Sequence, residues 1–131
     1  MSDGGYRKLE IWQKGFQLVP IVYNLAKQLP LNEQHALSNQ IRRNVVSIPS
    51  NIAEGWGRAS TQDFIRFLRI SRGSLMELET QILLAAKLGY IQAEQRNQII
   101  NHTDELSRML IGTINGLIKK QKAIDGRSIE C

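Results

Sequence analysis

Cysteine, proline, histidine and aromatic residues are all scarce in this 131-residue chain, and each scarcity removes a class of protein. The single cysteine, Cys131, cannot form an intramolecular disulfide, which fits a reducing compartment and predicts a cytoplasmic location. The two histidines, His35 and His102, have no glutamate three residues before them, so the Glu-x-x-His pairing of di-metal bundles is missing and both read as surface or boundary residues. No run of about 18 apolar residues exists and no apolar run follows a basic start, so neither a membrane span nor a signal peptide is expected. Walker, dinucleotide-binding and zinc spacings are absent. No His, Cys or Ser pair is placed to activate a nucleophile. The expectation is a protein without enzymatic activity, cofactor, metal or small-molecule substrate.

What remains is abundant Leu, Ile, Gln, Lys and Arg, in a length that suits one domain with its own core. The sequence predicts an all-α, antiparallel up-down-up-down four-helix bundle over residues 6–122, with a frayed start at 1–5 and a loose tail at 123–131. Helix 1, from about Tyr6 to Lys27, carries two opposed apolar sets. Leu9, Trp12, Phe16, Val19, Tyr23 and Ala26 form one, stepping by three and four. Ile11, Gly15, Leu18, Val22 and Leu25 form the other in the rhythm of a coiled-coil seam. One set can enter the chain's own core, and the second, seam-like set is assigned to contact between copies. Pro20 should bend the helix.

Helix 2 is predicted from Glu33, capped by Asn32, to Gly55, packing through Leu37, Ile41, Val45, Ile48 and Ile52. Gln40, Asn44 and Asn51 lie near that stripe as candidate buried amides that fix register. Ser60 with Asp63 gives the start signature of helix 3, whose stripe runs through Phe64, Phe67, Leu68, Ser71, Leu75, Leu78, Ile82 and Ala85. Ile65, Ile70, Met76 and Leu84 lie off it, and supply a second candidate contact between copies. Helix 4, about Ala93 to Lys122, packs through Ile99, Thr103, Leu106, Leu110, Ile114 and Leu117.

The net charge of +5 is unevenly placed. Between residues 42 and 72 stand Arg42, Arg43, Arg58, Arg66, Arg69 and Arg72, opposed only by Glu54 and Asp63. Arginine is the side chain suited to bidentate contact with phosphate. Two readings stay open: a strip that follows nucleic-acid phosphates, or a solvated face with ion pairs such as Arg72 to Glu79 or Arg58 to Asp63. Asn51 and Glu54 read as structural, Asn51 bridging helices and Glu54 accepting from an arginine or from amides at the next helix start.

The stretches Ile41-Arg42-Arg43, Ser47-Ile48-Pro49-Ser50-Asn51-Ile52-Ala53-Glu54-Gly55, Phe64 to Leu68, and Ser74-Leu75-Met76-Glu77-Leu78-Glu79 resemble the four helix bundle protein family. These are small proteins encoded in intervening sequences of bacterial 23S ribosomal RNA genes, also called the S23 family. The resemblance spans about Leu9 to Lys119. It implies a homopentameric four-helix bundle with no established enzymatic activity, and marks Asn51, Glu54, Gly55 and Glu79 as motif positions. A more distant resemblance is to the accessory variability protein of diversity-generating retroelements, a basic pentamer that binds nucleic acid beside a reverse transcriptase. The leading expectation is a homo-oligomer that binds RNA or DNA through the arginine strip. The alternatives are a protein-interaction scaffold and the retroelement role.

Overall fold

A computed structural model of the chain describes residues 4–130, with side chains described through residue 126. Residues 1–3 of the expected frayed start, and Cys131, lie outside the described residues. Four helices form, α1 (Glu10–Ala26), α2 (Leu37–Trp56), α3 (Thr61–Lys87) and α4 (Ala93–Glu130), and the described residues contain no strand. Short connections make consecutive helices antiparallel neighbours. α2 packs broadly on α1 and α3, α3 packs on α4, and α1 meets α4 more sparsely, while the diagonal pairs stay apart. That is an up-down-up-down four-helix bundle. Among the described residues no helix is long and apolar enough to cross a membrane.

The helix ends follow from local chemistry. Ser60 Oγ accepts from the Asp63 amide at 3.1 Å and starts α3. Gly89, at φ +80°, stops it, with the Gly89 and Tyr90 amides returning to the Ala86 and Ala85 carbonyls as in a Schellman turn. The start of α2 departs from expectation: Asn32 and Glu33 are used up in a 3-10 turn, Leu31–Glu33, and α2 begins only after Ala36, where the backbone breaks at φ −119° and ψ −102°. Glu33 is held instead by the Tyr90 hydroxyl, which donates at 2.8 Å. At the N-terminus Gly4 and Gly5 adopt positive φ and lead into a 3-10 turn, Gly5–Lys8, so α1 proper starts later than Tyr6. α4 runs on as helix to Glu130 where a tail from residue 123 was expected. No proline interrupts it, and Gln121 donates to Asp125 one turn on, at 3.3 Å.

The core centres on Ile41, Ile48, Ile52, Leu68, Leu75, Leu78, Ile82, Ile99, Leu106 and Leu110, all fully buried. The seam-like set of α1, assigned to contact between copies, is the one that enters the core, while of the other set Ala26 is buried and Leu9, Trp12, Val19 and Tyr23 are half-buried at its edge. Ile11, Gly15, Leu18, Val22 and Leu25 are buried inside the chain's own bundle and are not available to another copy. The reason is visible at Gly15: a methyl there would lie 3.2 Å from the Ile48 side chain and 3.6 Å from Pro49, so α1 presses its smallest residue onto α2. Ile65 is likewise buried, and Met76 packs half-buried against the core. The outward set of α1 contains Phe16, which is 57% exposed, stacked on Trp12 with ring centroids 4.6 Å apart.

α2 and α3 are joined by polar contacts as well as by apolar ones. Ser71 Oγ donates to the Ile48 carbonyl at 2.9 Å from a fully buried position. Ser47 and Ser74 share a hydrogen bond of 2.9 Å, and Asn44 donates to Gln81 at 3.0 Å, which in turn reaches Gln40 at 3.4 Å. Asn51 does not cross to α3; it donates to the Ser47 carbonyl and hydroxyl at 2.8 Å each and so orients the serine that does.

Candidate nucleic-acid interface

The six arginines do not form one strip. Arg42 is half-buried at the start of α2 and donates to the Gln34 side chain at 3.2 Å and to the Gln34 carbonyl at 2.9 Å. Gln34 in turn donates to the Ala26 and Leu29 carbonyls, and Ser38 donates to Ala26. Carbonyls left free at the end of α1 need donors, and Arg42 completes the clamp that supplies them. It holds a connection together and is not free for phosphate. Arg43, next to it, is exposed and lines a shallow polar depression with Tyr23, Asn39 and Ser47. Both stand about 24 Å along α2 from Arg58, at 1.5 Å per residue.

Arg58 and Arg66 lie at the other end of the hairpin, their guanidinium groups 4.9 and 4.5 Å from the centroid of the Phe67 ring. Arg58 pairs with Glu54 at 3.2 Å, not with Asp63, and Asp63 instead takes Arg66 at 3.7 Å. These are exposed pairs of residues close in sequence, Glu54–Arg58 across the end of α2 and Asp63–Arg66 within α3, which hold little energy and leave both cations accessible. Arg69 lines a depression of about 280 Å³ with Gln62 and Ile65 from α3 and Ile118, Gln121 and Lys122 from α4. Arg72 is exposed, and no ion pair joins it to Glu79 among the described residues.

Glu79 faces α4 instead. Its Oε2 is buried and has no hydrogen-bond partner among the described residues. Burial pushes its carboxyl above the usual value of 4.5; the Thr103 hydroxyl opposes the rise, and the Asp104 carboxylate adds to it. Gly55 is a packing position: a methyl there would sit 2.6 Å from the Phe67 Cβ. The motif residues Asn51, Glu54, Gly55 and Glu79 are therefore spread over two helix seams and do not converge on a cleft.

The antiparallel path brings together cations that are far apart in sequence. The Gly5–Lys8 turn contacts Trp56, the α2–α3 turn follows Trp56, and the last turns of α4 reach Gln62. One end of the bundle thus collects Arg7, Lys8, Arg58, Arg66, Arg69, Lys119, Lys120 and Lys122, opposed by Glu10, Glu54, Asp63 and Asp125. At the opposite end Lys27, Arg42, Arg43, Lys87 and Arg96 are set against Glu33, Glu79 and Glu94, a smaller excess, and Arg42 is already engaged with Gln34. From sequence, Lys119, Lys120 and Lys122 can extend the basic field although the helix dipole is enough to explain them, whereas Arg7 and Lys8 were missed because charge was counted along the chain; the up-down topology places all five here. Among the described residues no group of three or more His, Cys, Asp or Glu side chains is gathered in a way that could hold a metal ion.

The sequence model for the 23S rRNA-intervening sequence protein family matches residues 7–112. The chain belongs to that family. Its fold is similar to the crystal structure of a protein of unknown function from the S23 ribosomal protein family of Bacteroides thetaiotaomicron VPI-5482, with a TM-score of 0.73 and 34% sequence identity, over 79% of this chain and 97% of that one. No curated protein matches. No enzymatic family is indicated by these relatives, and the aligned region takes in the whole α2–α3 hairpin with its arginines.

Proposed function

We propose that the chain is a non-enzymatic, cytoplasmic homo-oligomer whose basic end holds the phosphates of a nucleic acid, RNA of a ribosomal locus being the first candidate. The observation that supports it is the convergence of cations from four separate segments on one end of the bundle, with a smaller excess at the other. Arg69 and Lys122 are the residues best placed to share one phosphate, since they line the same depression with two glutamines that can donate. A ring of copies, pentameric by the family resemblance, would repeat this end around one axis and multiply weak contacts.

The test is binding of nuclease-treated protein to labelled structured RNA and to duplex DNA across a salt series. Expected is affinity that falls steeply with salt, and a double variant, Arg69→Ala with Lys122→Ala, whose salt slope is smaller by about 1, for the one phosphate the two share. Absence of binding at low salt, or an unchanged slope in the double variant, overturns the reading. The protein-scaffold alternative has its own support in the exposed apolar groove between α1 and α2, and predicts binding that salt does not weaken. The retroelement role uses the same basic end, and a reverse-transcriptase gene beside this one would favour it.

A further inference from the structure

The outward set of α1 and the facing side of α2 form a groove of about 700 Å³, lined chiefly by Trp12, Phe16, Val19, Val46 and Pro49. Its lining carries no charged side chain, which suits an apolar helix face and not a phosphate-bearing strand. The outer face of α3 carries a ridge that matches it. Ile70, Gly73, Glu77 and Leu84 recur there at helical spacing, and all four are exposed. A methyl at Gly73 would meet no atom within 4 Å, so nothing inside the chain calls for glycine in the middle of this helix. Close approach of another backbone would.

We propose that copies of this chain assemble by seating the α3 ridge of one copy in the α1–α2 groove of the next, with Gly73 at the point of closest approach and Glu77 meeting Arg43. The proposal rests on the homo-oligomer reading above and names its contact. Charge supports the pairing: Arg43 and Glu77 are both exposed, and among the described residues neither is engaged in an ion pair of its own chain.

Height along the bundle supports it as well. Groove and ridge are unlike patches on different faces, so the contact is heterologous, the kind that forms a ring when the rotation between copies closes. A ring axis that runs along the helices leaves every copy at the same height, so the register of α2 against α3 within one chain also applies between neighbours. Within the chain Ser74 stands beside Ser47 and Gln81 beside Asn44. Glu77, between them, falls at the height of Val46, within one turn of Arg43. Gly73 falls near Ile48, the level at which Gly15 touches α2 and Phe16 faces outward.

The experiment is oligomeric mass across a dilution series for the full chain and its variants, with helical content and Tm read in parallel. Gly73→Leu is expected to keep or raise Tm, because leucine favours helix and has open space, while losing the oligomer. Arg43→Glu and Glu77→Arg are each expected to weaken assembly about tenfold, and the double variant to recover it. A Gly73→Leu protein of unchanged mass together with charge variants that assemble normally overturns the groove-and-ridge contact while leaving a homo-oligomer in place. A wild-type chain that stays monomeric at every concentration overturns the homo-oligomer reading and this proposal with it. If Gly73→Leu fails to fold, recovery or its absence in the charge-exchanged pair decides.

Discussion

The α2–α3 seam and the α1–α4 seam join helices of similar composition, yet one is closed to the backbone and the other is open. Between α2 and α3, Gly55 lies beneath Phe67, and serine hydroxyls bond across the helices. Between α1 and α4, Lys14 reaches Glu105 at 3.0 Å on the surface, and a depression of about 330 Å³ opens among Leu9, Ile11, Met109 and Thr113. The residues that carry the family resemblance fall mostly on the closed side. Their shared character is that they let two backbones approach and satisfy the polar groups trapped there, which is a requirement of packing and not of chemistry. A motif can therefore be highly specific on packing grounds alone.

The same kind of substitution at the two seams should have opposite signs. Gly55→Val should destabilise by about 3 kcal/mol in urea unfolding, at the upper end for overpacking, because the clash is with the Phe67 Cβ, which cannot swing aside. An unchanged midpoint would show that the closed seam has more room than the geometry allows. At the open seam, a methyl on Gly112 would meet nothing within 4 Å. Gly112→Ala should therefore stabilise by up to about 1 kcal/mol, the helix-propensity difference with no steric penalty. A loss of stability there would mean that α1 and α4 close more tightly in solution.

Most of the fold was legible in sequence because it follows from periodicity. Stripes at three-and-four spacing placed the buried faces of α2, α3 and α4, and the Ser60 signal placed the start of α3. The errors have physical causes. Both apolar sets of α1 satisfy the helical period, so periodicity alone cannot say which is inside; the glycine at position 15 opposite Pro49 decided it, and that contact is tertiary. Asn32 and Glu33 form a good start signature, but Pro30 before them and the Tyr90 hydroxyl beyond them draw the pair into a 3-10 turn. The basic end was the least legible feature, because its cations come from four segments and only the chain path gathers them. Arg42 was misread for the converse reason: a carbonyl-rich connection, invisible as a pattern of residue types, claims its guanidinium.

The α3–α4 seam lies between the two extremes and offers the smallest effect, one that depends on pH. Glu79 places a buried, unpartnered carboxylate oxygen against α4, and burial followed by the nearby Asp104 carboxylate favours its protonated form, against the pull of the Thr103 hydroxyl. A carboxyl whose folded pKa lies above its unfolded value favours folding most when protonated in both states, below the usual 4.5, and that contribution is lost as pH rises through the folded pKa. At neutral pH the ionised group therefore leaves the seam weaker than a neutral isostere would. Glu79→Gln should raise Tm at pH 7.5, and the gap from wild type should narrow on acidification toward pH 4.5, where the native carboxyl holds its proton. Comparing the two proteins at each pH cancels the titration of every other group. A gap that stays constant or widens toward acid would mean that Glu79 is ionised and well partnered in the native seam, and that the seam is as fully satisfied as the one between α2 and α3.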